Sequence, residues 1–105
     1  MNRIMYIERK AGDIAGEARI GNVRFSKTGR SFFYNGKSFS KVVGYKYNCI
    51  ENDSGEAYWI SGCKKSGADD LYNPSKPTPI DEDIREAYWI EIRKKPHLKF
   101  KTTSN

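Results

Sequence analysis

The side chains in this chain that could do chemistry are few. They are two cysteines, one histidine and two short runs of acids. Cys49, Cys63 and His97 have no paired spacing, so they do not make a zinc site. Asp69-Asp70 and Asp81-Glu82-Asp83 do not follow a calcium-loop pattern. The first pair reads as turn chemistry and the second run as the start of a helix. His97 follows Pro96 in a basic tail, where no Ser-His or Cys-His arrangement can be built around it. Ser26-Lys27-Thr28-Gly29-Arg30 could offer backbone N–H groups and two cations to an anion. It lacks the glycine spacing of a P-loop and does not open a helix, so a hairpin turn is the better reading. Lys64 and Lys65 follow Cys63 and could lower its pKa, although a loop cysteine without consequence is the stronger reading. This inventory implies a non-enzymatic protein without a cofactor.

Binding chemistry is better supplied. Residues 19–47 interleave seven cations with seven aromatic rings, the pattern of small barrels that hold single strands in a cationic groove with stacking platforms. Strand alternation must bury many of those rings. The candidates that remain for such a surface are Arg24, Lys27, Arg30, Phe33 and Lys37. A second candidate surface is an aromatic-lined groove for a protein or peptide, of the kind small barrels present between loops. It would be built from Trp59, Lys64, Lys65, Asp69 and Tyr72. Protein or peptide interaction is the leading expectation, and single-stranded nucleic acid or RNA the alternative.

Charge is unevenly distributed. Residues 1–67 hold twelve Lys/Arg against six Asp/Glu, residues 68–92 two against seven, and residues 93–105 five against none. The acidic segment could pack on the basic body and neutralise it, which limits what a net charge of +6 says about nucleic acid.

The elements that must position these residues can be read from a repeat. Glu-Ala-Tyr-Trp-Ile occurs at 56–60 and again at 86–90, and the two copies carry both tryptophans. Turn residues flank the first copy, which predicts a strand with Tyr58 and Ile60 on one face and Ala57 and Trp59 on the other. The second copy lies between Asp81, a good N-cap, and Arg93-Lys94-Lys95-Pro96, a basic end followed by a stop. That predicts an α-helix over about 81–95. Upstream, strands are predicted at 3–9, 18–25, 31–34, 37–43 and 45–51, with Gly21 marking a bend or bulge. Asn35-Gly36 is the strongest hairpin signal, because a type I′ turn needs positive φ at both central residues. Residues 62–79 read as a long loop. The fold expected is mainly β (α+β): a small SH3-like meandering β-barrel of five or six strands with a C-terminal α-helix, forming one domain over 1–95 and followed by a basic flexible tail at 96–105.

A mean hydropathy of −0.80 and 30% charged residues, with no long apolar run, point to a soluble cytoplasmic protein without a membrane partner. Two cysteines without a secretion signal suggest reduced thiols. In combination, Ala18-Arg19-Ile20-Gly21, Phe25-Ser26-Lys27-Thr28-Gly29, Tyr58-Trp59-Ile60-Ser61-Gly62, Lys64-Lys65 with Gly67, and Ile80-Asp81-Glu82-Asp83 with Tyr88-Trp89 resemble an uncharacterised family of small bacterial proteins of about this length. The resemblance covers most of residues 3–95 and implies no particular activity. Members often bear the name deoxyxylulose-phosphate synthase. That enzyme binds thiamine diphosphate through a motif beginning Gly-Asp-Gly and needs a chain several times longer, and no such tripeptide occurs here. This chain departs from the family pattern at Cys63, where proline is expected, and at Ser66, where aspartate is expected.

Overall fold

The computed structural model describes residues 1–10, 17–44, 46–70, 73 and 75–104. Six strands, β1 (Asn2–Arg9), β2 (Ala18–Phe25), β3 (Ser31–Tyr34), β4 (Lys37–Lys41), β5 (Cys49–Glu51) and β6 (Ala57–Gly62), follow one another as an antiparallel meander. β6 returns to pair with β1 from Met5↔Gly62 to Arg9↔Tyr58, so the sheet closes into a barrel and leaves no free edge. Asn35 and Gly36 hold φ of 52° and 74° between β3 and β4, the left-handed pair a type I′ hairpin requires. β4 and β5 are shorter than the sequence predicts. The chain leaves the ladder after Lys41, Val42 N–H still reaches Asn48 O at 3.0 Å, and Val43 faces solvent. The expected start of β5 at Tyr45 lies outside the described residues.

Alternation along the strands sorts the barrel interior. Met5, Ile7, Val23, Phe32, Phe39, Cys49, Tyr58 and Ile60 form one buried cluster, edged by Phe25 and Tyr34. Edge-to-face contacts lock the rings, Phe39 against Tyr58 at 4.8 Å and Phe25 against Phe32 at 5.1 Å. A second cluster lies on the outside of the wall. Tyr6 and Ile20 on the outer faces of β1 and β2 pack with Ile80, Ile84, Tyr88 and Trp89. β1 is therefore buried on both faces, which its loose alternation did not announce.

The C-terminal segment that covers this wall is helical but irregular. A 3₁₀ turn (Glu82–Ile84), an α-helical turn (Arg85–Ala87) and a π-helical turn (Tyr88–Ile92) follow in succession, in place of the single α-helix expected over 81–95. Arg93 N–H closes on Tyr88 O at 3.1 Å, an i→i+5 bond. The helix ends when Lys94 takes a left-handed φ of 58° and Lys95 N–H reaches back six residues to Trp89 O at 2.8 Å, just before Pro96. Asp81 flanks the helix but does not cap it with its side chain.

Two further expectations are corrected. Gly21 does not sit at a bulge, because β1 and β2 pair without interruption from Asn2↔Arg24 to Glu8↔Ala18. Residues 96–104 do not trail as a flexible tail. Ile80 N–H donates to Thr102 O at 2.8 Å, Ser104 N–H to Thr78 O at 2.9 Å and Trp89 Nε1 to Lys101 O at 2.9 Å. Thr103 pairs with Pro79, and Ser104 is buried.

Candidate nucleic-acid interface

The groups that sequence reading assigned to a protein-binding groove are drawn inward. Trp59 points to the outside of β6, as alternation requires, and packs against the second core beneath the C-terminal segment. Asp69 is buried and accepts the Lys64 backbone N–H at 2.6 Å. Burial raises its pKa above the usual carboxylate range, while the hydrogen bond from Lys64 opposes the shift. Lys64 and Lys65 alone stay exposed. Tyr72 lies outside the described residues. No groove assembles from the described members of this set.

The same region explains Cys63. Burial against the second core, and the carboxylate of Asp69, push its thiol well above the ordinary range, and Arg93 only partly opposes this. A lysine-activated thiolate is therefore not what the fold provides. Arg93, expected on the solvent side of a helix end, is buried. Its Nη1 donates to Tyr88 Oη at 3.1 Å and to Ser104 O at 2.5 Å, and the guanidinium lies 4.8 Å from the Trp89 ring. Beside it a buried triad runs along β1: Tyr6 Oη donates to Glu8 Oε1 at 2.7 Å, and Lys10 Nζ to Glu8 Oε2 at 2.9 Å. The Tyr6–Glu8–Lys10 groups are paired with one another, while Arg93 Nε is buried without a hydrogen-bond partner among the described residues.

The alternative set behaves differently. Arg24 and Phe33 are cross-strand partners on β2 and β3, both on outward register positions. The Arg24 guanidinium lies over the Phe33 ring at 4.1 Å. Together with Asn22, Lys37, Ser38 and Asp53 they line one open depression. Lys27 and Arg30 do not join them. They occupy the β2–β3 turn, before the start of β3, whereas Lys37 follows its end. The five candidates thus split between the two ends of the barrel.

The C-terminal segment packs against part of the barrel wall. Among its acids, Asp69 and Asp70 are buried and Asp81 is engaged by Arg19 Nε at 2.6 Å and by Tyr34 Oη. The segment packs on the outer faces of β1, β2 and β6, while Arg24, Lys37 and Lys41 remain exposed. Residues 20–55 hold six Lys/Arg against two Asp/Glu, a local charge of +4, and Asp81, Glu82 and Asp83 border this region beside Asn22, Tyr34 and Asn35.

Sequence reasoning did not foresee the Arg19–Asp81–Tyr34 cluster. Asp81 looked like a helix cap, and nothing local signalled that a partner 62 residues away would claim it. Among the described residues no group of three or more His, Cys, Asp or Glu could hold a metal ion, and no helix is long and apolar enough to cross a membrane. No family model, no curated protein and no solved structure matches the chain.

Proposed function

We propose that this protein binds single-stranded nucleic acid across the outward wall formed by β2, β3 and β4. The observation that carries the reading is the Arg24–Phe33 stack beside Lys37 in one open depression. A guanidinium over a ring joins an aromatic platform to a charge that can meet a phosphate, and single strands are gripped through both. Asn22 and Ser38 add neutral donors and acceptors along the same depression. The depression is shallow and open, so it suits a strand lying across it better than an enclosed small molecule.

The test is fluorescence anisotropy with labelled single-stranded DNA, duplex DNA and RNA at low and physiological salt. Single strands are expected to bind at micromolar or tighter Kd at physiological salt and more tightly than duplex. Phe33→Ala is expected to cost about 1–3 kcal/mol, the worth of one stacked base. Arg24→Gln is expected to weaken binding and lower the salt slope by about one. Equal loss of single-strand and duplex binding with modest salt would reduce the interaction to bulk charge and overturn the reading.

A further inference from the structure

At one end of the barrel the wall opens onto an apolar floor with a charged rim. β3 leaves β2 after two pairs, Arg24↔Phe33 and Phe25↔Phe32. Residues 79–81 then take over the edge of β2: Ile20 N–H donates to Pro79 O and Asp81 N–H to Ile20 O, both at 2.9 Å. The split between β2 and β3 leaves a cavity of about 160 Å³ at the end of the barrel. Its floor is apolar and aromatic, made by Ile7, Phe39, Tyr58 and Tyr34.

Three cations from three strands stand above that floor. Arg9 continues the inward positions Met5 and Ile7, Arg19 precedes Gly21 and Val23, and Lys37 precedes Phe39, so all three occupy inward register positions. Two are fixed. Arg9 Nε donates to Glu56 at 2.5 Å and Arg19 Nε to Asp81 at 2.6 Å, and a guanidinium has further donors beyond Nε. Lys37 makes no hydrogen bond or ion pair among the described residues. Glu17 and Asn35 complete the rim. Glu17 is exposed, and its side chain makes no hydrogen bond or ion pair among the described residues.

The chemistry of this mouth is that of a ring binder. A cavity of about 160 Å³ falls below the range of about 300–1,000 Å³ for drug-sized ligands, so it takes one ring and leaves any attached chain outside. Aromatic walls favour a flat ring. A carboxylate at the rim, with no donor of its own, selects a ring whose edge presents N–H groups. Lys37, whose ammonium makes no hydrogen bond among the described residues, offers charge to an anion just outside. Tyr34, Asn35 and Lys37 also line the outward depression that contains Arg24 and Phe33, so the two surfaces are continuous around the β3–β4 turn.

Resting on the single-strand reading above, we infer that the mouth receives one splayed base of the bound strand and favours guanine. Guanine alone among the bases presents two adjacent donors, N1–H and N2–H, to a single carboxylate. Glu17 accepts both, Asn35 meets the remaining edge, and Lys37 neutralises the phosphate at the rim. Bases of single strands are commonly read in this way, unstacked and hydrogen-bonded along their Watson–Crick edge.

The experiment compares labelled octathymidylate with the same strand carrying one central guanine, adenine or cytosine. The guanine strand is expected to bind about tenfold tighter than octathymidylate, the order of discrimination of one bidentate contact. Glu17→Gln replaces an acceptor by a donor and should bring that ratio close to one. Guanosine monophosphate is added separately to the Arg24→Gln variant and followed by amide NMR. It should shift Lys37 and Phe39, whereas uridine monophosphate should not. Equal affinity for all four strands, or a guanine preference that survives Glu17→Gln, would overturn the inference while leaving the outer-wall reading in place. If no strand binds but guanosine monophosphate still shifts the mouth, the outer-wall reading fails and the mouth stands as a nucleobase site. If neither binds, both fall.

Discussion

Glu51 shows how much one side chain can be asked to hold. Its carboxylate turns back on its own hairpin and accepts the backbone N–H groups of Asp53 at 2.7 Å and Ser54 at 3.3 Å. These bonds favour the ionised form and hold its pKa below the ordinary carboxylate value. A group depressed in the folded state contributes stability above its unfolded pKa and loses it as pH falls through the folded one. Glu51→Gln keeps one acceptor and loses the charge, so it should lower the denaturation midpoint at neutral pH. Wild type and variant should converge in acid, once the pH falls below the depressed folded-state pKa and the wild-type carboxyl is itself protonated. Urea titrations of both proteins across that range check the sign. At the same scale, Tyr34 serves both the floor of the mouth and the clasp of Asp81. Burial and its hydrogen bond to Asp81 push its hydroxyl well above the usual range, so it stays a donor throughout the physiological window.

At the scale of elements, the junction between β2 and the residues before the helix depends on a missing side chain. A Cβ at Gly21 would overlap Asp81 Oδ2 and the Tyr34 ring. Gly21→Ala should therefore destabilise the protein by about 1–3 kcal/mol, the usual cost of overpacking, and loosen the Arg19–Asp81–Tyr34 cluster with it. Thermal unfolding measures the first effect. Amide exchange at Asp81, whose N–H donates to Ile20 O, measures the second. The sequence marked Gly21 as special and assigned it a bulge. The demand comes instead from a side chain packed across from another element, which local alternation does not encode.

At the scale of the whole molecule, two cores share one wall. Both tryptophans serve the outer core, Trp89 fully buried and Trp59 packed against it, so the repeated pentapeptide contributes twice to the same cluster from a strand and from a helix. Removing residues 96–105 would strip Trp89 Nε1 of Lys101 O, Arg93 of Ser104 O and Thr78 of its partner. Leaving a buried guanidinium with Tyr88 Oη as its remaining side-chain acceptor is costly. The truncated chain should lose several kcal/mol, with a red-shifted tryptophan emission before or at the main transition. A tail that was merely mobile would give no change.

What the sequence determined by itself was local. Turn chemistry at Ser26–Gly29, Asn35-Gly36 and Asn52–Gly55, with period-two alternation between, sets four of the strands within a residue or two and assigns Tyr58 and Ile60 inward and Trp59 outward. These signals survive because φ preferences and the pleat act within a few residues. Tertiary structure decided the rest. It closed β6 on β1, bent the helix into three kinds of turn around Tyr88 and Trp89, and drew Arg93, Asp69 and the chain end inside. It also brought Arg9, Arg19 and Lys37 to one mouth. Each depends on contacts between residues tens of positions apart, where burial and charge pairing outweigh any local preference.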